Sequence, residues 1–260
     1  MIRVENFSKT FGAGTPNEIV ALKNISLEIA KGQFVLLIGT NGSGKSTLLN
    51  AIAGAAAGDN GTHGRILIDQ EDVTDWPDYQ RAKLIGRVFQ SPFLGTAPTM
   101  TIAENLQLAC LRGKPKTLRI GLTRSQISEL KKRLTDFGMG LENRLDTPIG
   151  LLSGGQRQAL TLLMATFVRP KVLLLDEHTA ALDPRSAEQV MAMTEKIILQ
   201  EGLTALMVTH SMAQALSFGT RLIMLNEGQV VFDIDEKKKR SLTTDDLLKK
   251  FRDMHIHIVV

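Results

Sequence analysis

Four short apolar runs along the chain predict buried strands. They are Phe34–Ile38, Val172–Leu175, Ala205–Val208 and Leu222–Leu225. Near-continuous apolar strands are typical of a parallel sheet that is covered on both faces. Helical patterns lie between these runs, at Ser46–Ala57, Gln156–Val168 and Ala187–Gln200. The alternation of strand and helix indicates an α/β architecture.

The beginning of the chain follows a different pattern. Apolar and polar residues alternate in Met1–Phe7, Ile19–Ile29 and Arg65–Asp69, which predicts half-exposed antiparallel strands. Gly12–Asn17 is rich in turn-forming residues and predicts a loop. Asn226–Gln229 predicts a hairpin turn near the end of the sheet.

Two further segments stand apart from this alternation. Ser91 to about Leu152 contains no strand pattern and is interrupted by Gly, Pro and charge, so we expect an inserted helical region there. The tail begins at Asp235, and its basic cluster Lys237–Arg240 predicts a solvated linker. A short helix, Asp246–Arg252, should follow, capped by Thr244–Asp246.

Composition narrows the function classes. Apolar residues make up 43% of the 260 and charged residues 22%, which excludes a disordered chain. No apolar run approaches the roughly 18 residues of a membrane span, and the single cysteine, Cys110, excludes an internal disulfide. The net charge of +4 is spread along the chain, with one Trp and one Tyr, and this disfavours a nucleic-acid stripe.

The strongest chemical signal is a phosphate loop between the first buried strand and the first helix. Its nine residues are Gly39, Thr40, Asn41, Gly42, Ser43, Gly44, Lys45, Ser46 and Thr47, in the pattern G-x-x-x-x-G-K-[ST]. Glycines allow backbone N–H groups to curl around an anion, and the following helix presents its positive end to it. Lys45 then neutralises terminal phosphates, while the Ser46 hydroxyl is suited to ligate Mg²⁺.

A second signal is a pair of carboxylates at the end of a buried strand. Asp176 and Glu177 follow Lys171–Leu175, and ligands bind at such strand ends in parallel sheets. Asp176 is placed to hold Mg²⁺ or its water shell, as in a Walker B motif. Glu177 is suited to polarise an attacking water molecule.

A third signal is Leu152–Gln156, with the sequence LSGGQ. Ser153 is a good N-cap, and the two glycines leave the N–H groups of the next helix open to an anion. One ATP needs only one phosphate cradle. This helix start is therefore either merely capped or contacts a phosphate that another copy of the chain holds, and the residues alone leave both possibilities open.

Together these motifs resemble the nucleotide-binding subunit of ABC transporters over roughly residues 1–235, and LSGGQ is the feature most specific to that family. The resemblance implies an α/β fold, with a RecA-like P-loop NTPase core, an N-terminal antiparallel β subdomain and an inserted helical subdomain at about 91–155. Residues 236–260 would be a short tail with one helix. ATP and Mg²⁺ are the implied cofactors.

The resemblance also implies roles for single residues. Phe11 would stack on adenine, with a core phenylalanine as the alternative, and Gln90 would touch Mg²⁺ or the attacking water. His210 would contact the γ-phosphate, and Asp183 would lie at the seam of a dimer. Catalysis would thus involve Glu177, His210, Gln90 and Lys45, and Mg²⁺ would be held by Ser46, Gln90 and Asp176. Ser153, Gly154, Gly155 and Gln156 would close on the ATP of a second copy.

The implied partners are a second copy of the chain, integral membrane permease subunits and an extracytoplasmic solute-binding protein, with no nucleic acid. The expected location is the cytoplasmic face of the membrane. Ala97–Leu106 resembles the segment that receives a coupling helix, the alternative being an ordinary loop with a Thr N-cap. Glu177 is followed by His178, where the family most often has Pro, and DEHTAALDP resembles an importer subgroup for amino acids such as tryptophan and tyrosine. A soluble ABC ATPase that serves as an iron–sulfur assembly scaffold would share every nucleotide motif.

Overall fold

The computed structural model describes residues 1–55, 57–114 and 122–253. Within these residues the chain forms two sheets and a helical region. The first is a four-stranded antiparallel sheet of order β2-β1-β4-β5. Its strands are β1 (Ile2–Phe11), β2 (Ile19–Ile29), β4 (Thr62–Ile68) and β5 (Glu71–Asp72). Ile2 and Val4 of β1 are buried, and after a register shift the alternation resumes at Phe7. The antiparallel pairing of β1 with β2 and β4 confirms the prediction.

The second sheet has six strands in the order β10-β9-β3-β8-β7-β6. They are β3 (Phe34–Gly39), β6 (Ile85–Val88), β7 (Val172–Asp176), β8 (Thr204–Val208), β9 (Arg221–Asn226) and β10 (Gln229–Asp235). Strands β6, β7, β8, β3 and β9 are parallel, and β10 returns antiparallel through the predicted hairpin. All four predicted buried strands are therefore present in this sheet.

Helices cover both faces of the parallel sheet. The helices of the described residues are α1 (Lys45–Ala53), α2 (Asp78–Arg81), α3 (Ile102–Cys110), α4 (Arg124–Asp136), α5 (Gly154–Phe167), α6 (Pro184–Glu201), α7 (Met212–Ser217), α8 (Glu236–Arg240) and α9 (Thr244–Asp253). Helix α1 packs with Val35 and Leu37 of β3 in a core shared with the antiparallel sheet. The intervening residues Leu36 and Ile38 face a second core with α5 and α6. This arrangement confirms the α/β class with its RecA-like core.

The predicted inserted region is helical in the part that the structure describes. Helices α3, α4 and α5 share a third apolar cluster, which includes Leu106, Leu134 and Leu160. A short 3-10 turn, Ile149–Leu151, precedes α5. None of the helices within the described residues is long and apolar enough to cross a membrane.

Three local predictions were wrong. Helix α1 ends at Ala53 rather than Ala57, because Gly54 adopts a left-handed conformation with φ of 98°. Lys237–Arg240 is not a linker but part of α8, so that the described tail contains two helices instead of one. The Thr that caps α9 is Thr243, whose hydroxyl accepts a hydrogen bond from the Asp246 N–H at 3.2 Å. The last seven residues of the expected tail, 254–260, lie outside the described residues.

Candidate nucleotide-binding site

The predicted phosphate loop connects the end of β3 to the first turn of α1. Gly44 shows why the loop needs glycine. Its φ is 100°, and a Cβ atom there would lie 2.7 Å from the Ala21 carbonyl oxygen and 2.8 Å from a methyl carbon of Leu22. A larger residue would therefore be strained and would also push against β2.

The lysine of the loop is folded into it. Lys45 is buried, and its Nζ donates to the carbonyl oxygens of Gly39 at 2.9 Å and Thr40 at 2.8 Å. Burial lowers the Lys45 pKa, and the nearby carboxylates of Glu177 and Asp176 oppose that shift. The Ser43 hydroxyl is buried beside it and has no hydrogen-bond partner among the described residues. A buried cation and an unpaired hydroxyl in one loop fit an anionic phosphate ligand.

Glu177 and His210 are brought together by two adjacent parallel strands. Glu177 follows β7, His210 follows β8, and Glu177 Oε1 lies 2.6 Å from His210 Nε2. Glu177 has a left-handed backbone with φ of 46° and a mostly buried side chain, while His210 is half exposed. The pair lines one pocket together with the phosphate-loop residues Asn41, Gly42, Gly44, Lys45, Ser46 and Thr47.

The same pocket has a wall that the sequence analysis missed. Ile19, Val20 and Ala21, at the start of β2, line it together with the two catalytic candidates. Ile19 and Val20 are exposed apolar side chains. Their signal in the sequence is a run of four apolar residues, 19–22, that breaks the alternation of the rest of β2. An apolar wall beside a phosphate loop is suited to contact a base or sugar.

Asp176, the first of the two carboxylates, has a cationic neighbour. The Arg87 guanidinium on β6 donates from Nη2 to Asn50 Oδ1 at 2.7 Å and lies 3.4 Å from Asp176 Oδ2. Sequence reasoning missed both Arg87 and its strand, because Gly and Arg interrupt the apolar pattern of this four-residue edge strand. The oxygen donors predicted for Mg²⁺, the Ser46 hydroxyl and the Asp176 carboxylate, are of the type that this hard cation prefers.

Phe11 and Gln90 are exposed and do not line this pocket. Phe11 ends β1 and is 46% exposed, which excludes the alternative of a core phenylalanine. The Lys9 Nζ lies 5.2 Å from the centre of its ring. Gln90 follows β6, and the carbonyl of the preceding Phe89 accepts a hydrogen bond from Gln158 Nε2 on α5 at 3.2 Å. The strand end before Gln90 is thus tied to the helical region.

The LSGGQ residues form a second cluster, which does not line the pocket of the phosphate loop. Ser153 is the N-cap of α5 and forms a capping box with Gln156. A Cβ atom on Gly154 would lie 3.3 Å from a methyl carbon of Leu182. A Cβ atom on Gly155 would lie 2.8 Å from the Ser186 side chain. Asp183 caps α6 by accepting from the Ser186 N–H at 3.0 Å. The Ser186 side chain and then this N–H, both donating to the carboxylate, hold the Asp183 pKa below its usual range. The motif therefore lies beside the segment of Asp183 on the same chain.

His178 stands where the family that the sequence resembles most often has Pro, and its side chain is buried. It is 2% exposed, and its Nε2 lies 3.0 Å from Thr194 Oγ1 on α6. Burial lowers the His178 pKa to about 4, so its imidazole is neutral at neutral pH.

Comparison with known proteins yields consistent matches. A family model described as "ABC transporter" matches residues 22–180. A tyrosine transport ATP-binding protein of Clostridioides difficile is 45% identical, over 96% of this chain and 98% of its own length. A dimeric structure of the ATP-binding cassette MJ0796 in a post-hydrolysis state, bound to ADP and phosphate, superposes with a TM-score of 0.74, 32% identity and coverage of 91% of this chain and 99% of that chain. MJ0796 is an ABC transporter ATP-binding protein of Methanocaldococcus jannaschii. A third neighbour, from Clostridium perfringens, is part of the ABC transporter complex cbiONQ, with a TM-score of 0.76, 25% identity and coverage of 96% and 94%.

Proposed function

Because the chain belongs to the ABC transporter family and is an ABC-type ATPase, we propose that two copies close head-to-tail on ATP and drive a solute through separate membrane subunits. Residues 1–235 would be the ATPase cassette, with the helical subdomain at about 91–155. The observation that carries the proposal is the separation of two anion-binding features on one chain. The phosphate loop, Glu177 and His210 share a pocket, and the LSGGQ helix start does not line it.

The separation of these features supports a composite site. The N-terminus of α5 is exposed at Ser153 and Gly154, and its amide groups carry the partial positive charge of a helix start. A second copy related by a two-fold axis would bring this end against the nucleotide of the first. Ser153–Gln156 would then complete the site that Lys45 begins, with Asp183 at the seam. The dimeric, ADP-bound state of MJ0796 supports this arrangement.

Within the composite site each residue has a distinct task. The amides of Gly39–Thr47 and the Lys45 ammonium hold the β- and γ-phosphates, and Phe11 stacks on the adenine. Glu177 orients the attacking water, and His210, which already contacts Glu177, supports the γ-phosphate. Ser46, Asp176 and Gln90 would hold Mg²⁺, which would neutralise phosphate charge. Catalysis is then mainly positioning and charge stabilisation.

An exposed apolar patch on the helical region supports a membrane partner. Phe93, Leu94 and Leu151 make up this patch, and Leu94 and Leu151 are 72% and 71% exposed. The Arg157 guanidinium stacks on Phe93 at 4.0 Å and donates to the Gly150 carbonyl, so that the loop of Phe93 and the turn of Leu151 are linked. Exposed apolar patches of this kind mark interaction surfaces.

The segment expected to receive a coupling helix lies close to this patch, since its Pro98 carbonyl accepts a hydrogen bond from the Gly150 N–H at 2.8 Å, next to Leu151. Thr101 in Ala97–Leu106 is the N-cap of α3, as expected for an ordinary loop that precedes a helix. The preceding Ala97 N–H donates to the buried Asn105 side chain at 2.8 Å. A loop fixed in this way can cap α3 and also present a surface to a coupling helix, and the proposal assigns it both roles.

We assign the transported solute by similarity. The 45% identical relative is a tyrosine transport protein, and DEHTAALDP resembles the same kind of importer. The relative favours an amino acid as the solute, and the motif favours import. An importer would work with a solute-binding protein outside the membrane, and this chain would lie on the cytoplasmic face.

Substitution of Glu177 tests the ATPase chemistry. Glu177→Gln removes the base but not the side-chain volume, so turnover should fall by about 100-fold or more while ATP affinity stays within about twofold. The unhydrolysed ATP should trap a dimer. Steady-state ATPase assays, nucleotide titration and size-exclusion chromatography with ATP measure these effects.

Glu227→Gln is the matched control. Glu227 has the same φ of 46°, but it lies exposed in the hairpin turn between β9 and β10. Its variant should behave as the wild type. Normal turnover in Glu177→Gln would remove Glu177 from its role, and a monomer that persists with trapped ATP would contradict the dimer.

A further inference from the structure

The backbone of Glu177 needs support from its surroundings. A left-handed φ of 46° is unfavourable for a non-glycine residue, so it persists only where neighbouring contacts fix it. Two backbone hydrogen bonds contribute. The Glu177 N–H donates to the Val208 carbonyl at 3.1 Å, and the Glu177 carbonyl accepts from the Ala180 N–H at 2.9 Å. Neither bond involves the next residue, so its position depends on the contacts of its own side chain.

The next residue, His178, is anchored on a different element from Glu177. Glu177 points to His210 after β8, whereas the His178 ring is buried against α6 and reaches Thr194 at 3.0 Å. Thr194 is itself fully buried. Consecutive side chains are thus fixed on two different elements, and the peptide unit between them has little freedom to rotate.

The direction of this hydrogen bond follows from the proton count. The Thr194 hydroxyl donates its one proton to the Val190 carbonyl at 2.8 Å. It can therefore only accept from His178, and the imidazole must carry its proton on Nε2. A ring without an N–H at this position could not donate to Thr194 Oγ1, so the hydrogen bond would be lost.

We propose that His178 is a positioning residue whose buried hydrogen bond to Thr194 holds the turn after β7, so that the Glu177 carboxylate stays directed toward His210 and the phosphate loop. The proposal rests on the function proposed above for Glu177. Thr179 supports the same turn from the other side, since its hydroxyl accepts from Gln214 Nε2 on α7 at 3.3 Å. Loss of the His178 bond frees one of these two anchors.

Three variants of the full chain test the bond. His178→Phe keeps a buried ring without the donor, Thr194→Val keeps the shape without the acceptor, and His178→Gln restores an amide donor at similar reach. His178→Phe and Thr194→Val should each lower kcat about tenfold and leave the KM for ATP within about twofold, because a displaced catalytic group slows the chemical step. His178→Gln should recover most of the lost kcat. Wild-type kcat in both of the first two variants would overturn the proposal.

A second background separates positioning from general destabilisation. In Glu177→Gln the carboxylate that His178 positions is gone, so adding His178→Phe should not lower the residual turnover further. A merely structural role would lower turnover by the same factor in both backgrounds, and that result would overturn the proposal. Normal turnover in Glu177→Gln alone would instead contradict the proposed function, so the two failures are distinguishable.

Discussion

At the scale of single residues, Lys239 is a cation held in the protein interior. It is 2% exposed, and its Nζ donates to the carbonyl oxygens of Phe218 and Gly219, just after α7. Burial lowers its pKa from 10.5 to about 8, although the carboxylates of Glu236 and Glu195 oppose the shift. A residue that the sequence places in a solvated basic cluster thus joins α8 to the end of α7.

The depressed pKa predicts that stability rises with pH. Between pH 8 and 10.5 the unfolded chain binds a proton on Lys239 that the folded chain has lost, so raising the pH favours the folded state. The free energy of unfolding of the wild type relative to Lys239→Met should therefore increase by roughly 2–3 kcal/mol from pH 7 to pH 10. Urea denaturation of both proteins across this range measures the difference.

Lys238→Met is the control for this titration. Lys238 is the neighbouring lysine of α8 and its side chain is not buried. Its variant should follow the wild type at every pH. A difference between wild type and Lys239→Met that stays constant with pH would show that Lys239 titrates normally.

Site residues could be predicted where sequence spacing itself defines the geometry. The phosphate loop is nine consecutive residues between a strand and a helix, and Glu177 and His210 each follow a buried apolar run. The structure brings Glu177 and His210 to the loop because parallel strands end at one edge. The partners of Arg87 and His178 were not predictable, because Asn50 and Thr194 lie on helices whose packing no local pattern encodes.

At the scale of elements, pattern strength decided what could be predicted. Fully apolar strands such as β7 and β8 were found because burial on both faces leaves a continuous signal. The edge strand β6 was missed, since four residues that include Gly and Arg carry no such signal. Helix α8 was misread because all five of its residues are charged, although Lys239 is buried and its ammonium group donates to backbone carbonyls in the interior.

The contact between α5 and α6 predicts a cost for Gly155→Ala that is independent of ATP. The added Cβ would lie 2.8 Å from both Cβ and Oγ of Ser186, so one helix must shift. The free energy of unfolding of the monomer should fall by about 1–3 kcal/mol. Ser186→Gly removes both opposing atoms and should restore part of this loss in the double variant, as chemical denaturation would measure.

Gly154→Ala provides the comparison. Its Cβ would meet only the flexible end of Leu182, at 3.3 Å, so its effect on stability should be small. If Gly155→Ala costs no more than Gly154→Ala, the packing argument is wrong. If the double variant regains stability but not the rate of ATP hydrolysis, Gly155 also contacts the nucleotide, as the proposed composite site requires.

At the scale of the whole molecule, the sheet fixes the nucleotide pocket while the helical region carries the exposed apolar patch of Phe93, Leu94 and Leu151. The two are mechanically connected. Gln158 on α5 binds the Phe89 carbonyl at the end of β6, and the Phe93 loop follows directly. If Gln90 contacts the bound nucleotide and Mg²⁺ as proposed above, a change there would reach the patch through this loop.

This connection makes the patch the place to test for the transporter partner. Leu94→Glu puts a charge into the patch, and burying that charge against a partner would be costly, so association should be lost while ATP hydrolysis by the isolated chain is retained. Leu199→Glu is the matched control, because Leu199 is 66% exposed on α6 outside the patch.

The measurement is an affinity pull-down from detergent-solubilised membranes followed by mass spectrometry. We expect the wild type and Leu199→Glu to retain a polytopic membrane protein in stoichiometric amount and Leu94→Glu to lose it. Equal capture by all three would move the docking surface elsewhere, whereas capture of a soluble partner alone would leave the ATPase chemistry intact and assign the chain to scaffold assembly.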